Sequence, residues 1–153
     1  MEKVLFGAGC FWGVEESFSK LPGVLKTEVG YSGGNTVNPT YETVCGGDTN
    51  HAEVVLIEFD ENILPFEKLL EFFWKCHDPT TLNRQGPDIG TQYRSAIFYF
   101  NDNQKKISYN SMKQHQKINN LDIVTEIKAA NAYYRAEEYH QKYIQKTGLF
   151  CAS

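Results

Sequence analysis

The segment Ala52–Phe59 (AEVVLIEF) constrains the fold more than any other part of the chain. Side chains of a strand point alternately to opposite faces of its sheet. In this segment Val54 and Leu56 share one face, and Val55 and Ile57 share the other, so both faces are mostly apolar. The pattern predicts a strand in the middle of a sheet that is covered on both sides.

Other segments have patterns typical of strands or helices, and the two kinds are mixed along the chain. Residues 66–74 repeat apolar side chains at the spacing of an amphipathic helix. The mixture predicts an α+β sheet covered by helices, with a long irregular loop at residues 77–92. We predict strands at residues 4–6, 24–31, 52–59, 95–100 and 123–128, and helices at residues 11–21, 66–74, 102–118 and 136–146.

Length and charge limit the class of protein. We expect a single domain over residues 1–153, with an irregular, mobile tail at 147–153. The net charge of −4 argues against a nucleic-acid binder, and no apolar run approaches the roughly 18 residues that span a membrane. The first residues lack the features of a secretory signal, so we expect a cytoplasmic protein.

Cys10 is the first candidate for chemistry. It follows a glycine turn and stands where a helix is predicted to begin, and helix N-termini favour anions such as a thiolate. Trp12 lies on the polar side of that helix, where it could form the wall of a substrate pocket. The alternative is that Cys10 is a small buried residue and that Trp12 covers a neighbouring element.

Polar residues near the central strand are further candidates. Glu53 opens the strand on an apolar face, which tends to raise the pKa of a carboxyl and allows it to donate a proton near neutral pH. A solvated glutamate at the end of a strand is the alternative. His51 could be a base, although a histidine bonded to the backbone of a turn is more common.

Three more polar residues lie in predicted loops or turns. Asp88 and Tyr93 belong to residues 84–94, which are dense in polar and turn-forming residues, and Tyr41 follows another loop. All three could face a site. Asp88 could equally bond its own backbone as a turn residue. The local pattern leaves both interpretations open.

The remaining cysteines differ in context. Cys151 lies in the tail, where it has no core to build, whereas Cys45 and Cys76 lie in or beside predicted helical segments, and we interpret them as structural. No CxxC pair is present, and cysteines and histidines lack the regular spacings of a zinc site. We therefore predict no metal.

Several segments together resemble one family, the A-type peptide methionine sulfoxide reductases. The resemblance runs in one order from about residue 7 to residue 143, so it is far more specific than any single motif. It is carried by residues 9–13 (GCFWG), 21–24 (LPGV), 29–34 (VGYSGG), 38–41 (NPTY), 44–45 (VC), 51–53 (HAE), 77–80 (HDPT) and 84–94.

The resemblance implies a fold and an activity. The family fold is a single-domain α/β roll with a ferredoxin-like core. The activity is reduction of the S epimer of methionine sulfoxide, free or in proteins, a repair of oxidative damage. It implies no cofactor in the chain. The nucleophile is carried over to Cys10, the acid to Glu53, the aromatic methyl pocket to Phe11 and Trp12, and the polar side of the site to Tyr41, Asp88 and Tyr93.

The implied reaction passes through two oxidised forms of Cys10. Its thiolate attacks the sulfoxide sulfur, and a sulfenic acid forms as methionine leaves. Cys151 resembles the family's recycling cysteine, and the resulting Cys10–Cys151 disulfide is expected to be reduced by thioredoxin. Many family members have a longer glycine-rich tail, whereas here Ala152 and Ser153 alone follow Cys151. We therefore expect no relay through a second tail cysteine, and we expect a monomer.

Two other function classes remain to be tested. A cysteine hydrolase or acyltransferase needs a general base beside its thiol, and none of the four histidines is an obvious partner. A non-enzymatic domain that binds sulfoxides or senses redox state would bind without turnover.

Overall fold

The computed structural model describes residues 1–148, which form one main sheet, a small hairpin and a set of helices. The strands are β1 (Glu2–Ala8), β2 (Val24–Ser32), β3 (Ala52–Phe59), β4 (Arg84–Gln85), β5 (Asp88–Ile89), β6 (Ser95–Tyr99), β7 (Glu126–Ala129) and β8 (Tyr133–Arg135). The helices are α1 (Phe11–Ser19), α2 (Tyr41–Cys45), α3 (Phe66–Cys76), α4 (Asp102–Asn119) and α5 (Tyr143–Thr147).

The main sheet has the strand order β7-β6-β1-β3-β2-β8. Its middle four strands pair antiparallel, in the order β6-β1-β3-β2. Helix α1 connects β1 to β2 and α3 connects β3 to β6, which is the split βαβ arrangement of a ferredoxin-like core. Because β7 joins β6 in parallel, the sheet is mixed. The predicted fold class is confirmed.

The two faces of the sheet are covered unequally. On one face α1 and α3 pack against the strands, and the Phe6 ring lies 5.5 Å from Phe18 and 4.5 Å from Phe73. A smaller apolar cluster that includes Leu5 and Val54 covers the other face. The predicted central position of β3 is confirmed, since it lies between β1 and β2 and both of its faces contribute to these clusters.

The continuous helix predicted over residues 136–146 is wrong, although its last residues, 143–146, do lie in a helix. The chain there forms a 3-10 turn at Glu138–His140, adopts a left-handed conformation at Lys142 (φ 54°), and only then enters the short helix α5. The backbone and side chains of this segment form hydrogen bonds with residues that are distant in the sequence. Gln141 bonds both the N–H and the carbonyl of Val29, and the Lys142 N–H donates to buried Glu15. Such tertiary bonds override a local helical pattern.

Two other boundaries differ from the sequence prediction. The loop at residues 77–92 contains the β4–β5 hairpin and is closed by the Gln85 side chain, which bonds both the N–H and the carbonyl of Asp78. Strand β7 begins at Glu126, three residues later than predicted, and strand β8 was not predicted at all.

Across residues 1–148, no helix has the length and apolar character needed to cross a bilayer.

Candidate active site

Cys10 lies at the junction between β1 and α1. Gly9 reaches it with φ 101°, a conformation that favours glycine, and Cys10 is the N-cap residue of α1, with 8% of its surface exposed. The carbonyl of Cys10 accepts the Val14 N–H, which closes the first turn of the helix. Cys10 therefore stands at the positive end of a nine-residue helix, a position that favours an anion such as a thiolate.

The carboxyl of Glu53 is hydrogen-bonded to this junction. It is 1% exposed, and its Oε1 accepts the backbone N–H of Phe11, the residue after Cys10, at 3.2 Å. Its Oε2 is buried and has no hydrogen-bond partner among the described residues. Burial is the main cause that raises the pKa of Glu53 to about 8; the hydrogen bond from the Phe11 N–H lowers it in part, and the nearby charge of Asp88 adds to the rise. Glu53 is therefore mostly protonated at neutral pH and can donate a proton.

Two tyrosines surround this carboxyl. Tyr41 is the first residue of α2, and Tyr93 ends the 3-10 turn after the hairpin. Burial and the charge of Glu53 raise the pKa of Tyr93 to about 12, and burial, Cys45 and Glu53 raise the pKa of Tyr41. Both hydroxyls are protonated at neutral pH. The charge of Glu53 acts on both Tyr41 and Tyr93, and the charge of Asp88 acts on Glu53 and Tyr93, so the fold brings these four side chains into one region.

The aromatic residues after Cys10 have different environments. Phe11 is buried, with its ring 5.7 Å from that of Tyr31. Trp12 is partly exposed and stacks on Tyr143, with the ring centres 3.9 Å apart and the planes 12° apart. Its ring lies 6.3 Å from that of Tyr41, so Trp12 forms a flat apolar wall beside the polar group around Glu53.

The sequence prediction did not identify one segment that contacts the site. Residues 137–142, named here the C-terminal strap, pass behind the site and bond to its residues. Glu137 accepts the Tyr31 hydroxyl and the Tyr41 N–H, both at 2.9 Å, and His140 accepts the Trp12 indole N–H at 2.8 Å. No local sequence pattern indicated that these residues belong to the site. The sequence predicted a helix there, and a helix gave no reason to connect them with Trp12 or Tyr41.

Cys45, Cys76 and His51 each have a distinct environment in the structure. Cys45 is exposed and lies close to the Tyr41 hydroxyl, and its interpretation as a structural residue stays a prediction. The Cys76 thiol donates to the Phe73 carbonyl at 3.2 Å, and burial raises its pKa to about 12, as suits a structural cysteine. His51 bonds the backbone of Gly34 and Thr36, as a turn histidine does.

Two predictions concern the tail and metals. Cys151 lies outside the described residues, so its assignment as the resolving cysteine stays a prediction. Within residues 1–148, no group of three or more His, Cys, Asp or Glu side chains could hold a metal ion.

The sequence is similar to one family over nearly its whole length. The family model described as Peptide methionine sulfoxide reductase matches residues 2–151. Among curated relatives, Peptide methionine sulfoxide reductase A4, chloroplastic, of Arabidopsis thaliana is 57% identical over 143 residues, covering 94% of this chain and 55% of the relative. Peptide methionine sulfoxide reductase MsrA of Acinetobacter baumannii (strain AYE) is 56% identical, covering 95% of this chain and 84% of the relative.

The fold is similar to solved structures. Mxr1 from Saccharomyces cerevisiae in reduced form has a TM-score of 0.93 at 36% identity, covering 99% of this chain and 88% of that one. Methionine sulfoxide reductase A of Corynebacterium diphtheriae has a TM-score of 0.90 at 39% identity, covering 99% and 77%. The chain spans about 55% of the length of several plant relatives, as with the Arabidopsis protein.

Proposed function

The chain belongs to the peptide methionine sulfoxide reductase family, and we propose that it reduces the S epimer of methionine sulfoxide, free or in proteins. The environment of Glu53 is the observation that best supports this proposal. A buried, protonated carboxyl, Glu53, is hydrogen-bonded to the residue next to Cys10 and keeps one oxygen without a partner among the described residues. Reduction of a sulfoxide needs a thiolate at sulfur and an acid at oxygen, and this arrangement supports both.

The chemical step transfers oxygen from the substrate to the enzyme. The Cys10 thiolate attacks the sulfoxide sulfur while Glu53 donates a proton to the oxygen, aided by hydrogen bonds from Tyr41 and Tyr93. The substrate sulfur gains two electrons and leaves as methionine. The sulfur of Cys10 loses two electrons and carries the oxygen as a sulfenic acid. The methyl group on the substrate sulfur rests against Trp12 and Phe11.

Recycling removes that oxygen as water. In our proposal the Cys151 thiol attacks the sulfenic acid, a disulfide with Cys10 forms, and thioredoxin reduces it by thiol exchange. Mxr1, which is similar to this chain, has also been solved in complex with Trx2.

The test measures methionine formed from each purified epimer of methionine sulfoxide, with dithiothreitol as reductant. We expect wild type to reduce the S epimer and not the R epimer, and Cys10→Ser to reduce neither. Folded wild type that reduces neither epimer would refute the proposal. Binding without turnover would then favour a sensing domain, and a trapped thioester would favour a cysteine acyltransferase.

Two further properties stand as proposals. We propose that the protein is a monomer, which light scattering at micromolar concentration would test. We also propose a cytoplasmic location, to be tested by fractionating the source cells and probing each fraction with an antibody to the chain. A dimer mass in the first experiment, or recovery with membranes or organelles in the second, would refute the respective proposal.

A further inference from the structure

The Trp12 side chain donates a hydrogen bond to a residue far away in the sequence. Its indole N–H donates to Nδ1 of His140 at 2.8 Å, across 128 positions of the chain. The two rings also stack, with centres 5.6 Å apart and planes 28° apart. His140 itself is fully buried. The plane of the Trp12 wall is thus defined on one side by Tyr143 and at its polar edge by His140.

The bond defines the chemical form of His140. Because Nδ1 accepts a hydrogen bond, the neutral ring carries its proton on Nε2. Burial lowers the pKa of His140, so the ring stays neutral. The titratable groups packed around the ring are Tyr41, Tyr139 and Glu137.

Packing alone does not account for a histidine at this position. Its Nε2 is buried without a hydrogen-bond partner among the described residues, which costs stability that an apolar ring of the same size would not cost. Three aromatic rings lie within 5.3 Å of the imidazole centre, which suits a phenylalanine equally well. The feature that a phenylalanine lacks is the acceptor for Trp12.

The C-terminal strap keeps this acceptor in place from both sides. Before His140, Glu137 accepts hydrogen bonds from Tyr31 in β2 and from the N-terminus of α2. After it, the Gln141 amide bonds both backbone groups of Val29 in β2, at 2.9 Å each. The imidazole is therefore anchored to the sheet on which the site is built.

We propose that His140 is a positioning residue that fixes the plane of Trp12 and thereby limits the size of the alkyl group accepted on the sulfoxide sulfur. The inference rests on the proposed function, because it needs a sulfoxide to select. A tryptophan wall held at both its face and its edge leaves room for a methyl group. A wall released at its edge can tilt, so that it holds methyl less firmly and tolerates ethyl.

The variants are made in a Trp74→Phe background, because Trp12 and Trp74 are the two tryptophans of the chain. His140→Phe keeps the ring and removes the acceptor, whereas His140→Asn places an acceptor oxygen near the position of Nδ1. His115→Phe is the matched control. His115 stacks on the ring at position 74 and takes no part in the Trp12–His140 bond, so in the Trp74→Phe background its replacement removes a histidine ring and leaves that bond intact.

Two readouts separate positioning from general damage. The first is the ratio of kcat/KM for the S epimers of methionine sulfoxide and ethionine sulfoxide. We expect His140→Phe to lower this ratio about fivefold, mainly by raising KM for the methyl substrate, and His140→Asn to restore most of it. The second is acrylamide quenching of Trp12 fluorescence, which should increase in His140→Phe and return towards the background value in His140→Asn. His115→Phe should change neither.

Unchanged selectivity and quenching in His140→Phe would overturn the inference, as would equal values in the Phe and Asn variants. If His140→Phe does not fold, replacing the Trp12 indole by benzothiophene, which has sulfur in place of N–H, removes the same bond and should lower the ratio equally. A wild-type chain that reduces neither sulfoxide refutes the proposed function, and the selectivity inference with it. A wild-type chain that reduces them, with both substitutions silent, refutes only the role of His140.

Discussion

At the scale of single residues, the site depends on one carboxyl whose environment opposes its ionisation. Glu53 sits in the buried strand β3, where burial raises its pKa from 4.5 to about 8. A carboxyl of this kind is available as an acid at neutral pH, whereas an exposed glutamate is not. The same environment that makes Glu53 useful also makes its charged form costly.

The first prediction concerns the acid role of Glu53. Glu53→Gln should slow sulfenic acid formation about 100-fold or more, because the amide cannot donate an acidic proton. In wild type the rate should fall as pH rises through about 8, where Glu53 ionises, and this fall should be absent from Glu53→Gln. Single-turnover methionine formation between pH 6 and 9.5 measures both effects. A wild-type rate that rises steadily up to pH 9.5 would contradict the prediction.

The second prediction concerns stability. Between pH 4.5 and about 8 the folded chain binds a proton at Glu53 that the unfolded chain releases, so the free energy of unfolding falls as pH rises across this window. Glutamine does not ionise and escapes this loss. Relative to wild type, Glu53→Gln should be little changed at pH 4.5 and more stable by on the order of 3 kcal/mol at pH 8.5. Urea unfolding at both pH values measures the difference, and a constant offset would speak against it.

At the scale of elements, the C-terminal strap connects otherwise separate parts of the site. Its carboxylate at Glu137 bonds β2 through Tyr31 and the start of α2 through Tyr41. Helix α2 has only five residues, too few to be stable alone, so its position depends on such anchors. The strap therefore acts on the site through Tyr41 as well as through Trp12.

The third prediction tests this anchor. Glu137→Ala leaves the Tyr31 hydroxyl and the Tyr41 N–H without their acceptor, and should lower the free energy of unfolding by about 1–3 kcal/mol and raise KM. Glu138→Ala is the matched control, because that side chain is exposed and forms a surface ion pair with Arg135. Urea unfolding and steady-state kinetics of both variants provide the measurement. Equal losses in the two variants would mean that Glu137 is not an anchor.

At the scale of the whole molecule, the described cysteines lie in three different environments. Cys10 lies at the helix N-terminus, Cys76 is shielded against Phe73, and Cys45 is exposed beside Tyr41. In the proposed recycling a second thiol of the chain reaches Cys10, so turnover with thioredoxin would depend on how distant parts of the chain meet.

The fourth prediction concerns recycling. Cys151→Ser should form one equivalent of methionine per enzyme and then stall with thioredoxin, because the sulfenic acid at Cys10 has lost its resolving thiol. Cys45→Ser is the control and should continue to turn over. Methionine released in the first turnover and at steady state distinguishes the two. Stalling of Cys45→Ser with normal recycling by Cys151→Ser would transfer the resolving role to Cys45.

The sequence by itself determined the parts of the protein that local patterns encode. The apolar faces of β3, the helical spacing of α3 and the glycine turn that leads into α1 at Cys10 all follow from neighbouring side chains. Burial of those apolar faces is the main free energy available, so such patterns largely define the sheet and its covering helices.

Only the tertiary structure decided how the site is held together. The bond from Trp12 to His140 joins residues 128 positions apart, and the bond from Tyr41 to Glu137 spans 96. The left-handed Lys142 and the 3-10 turn before it replaced a predicted helix, because Glu15 and the backbone of Val29 satisfy that segment better than helical bonds would. Hydrogen bonds between distant segments leave no periodic trace in a sequence, and they become visible only when the sheet brings both partners to one place.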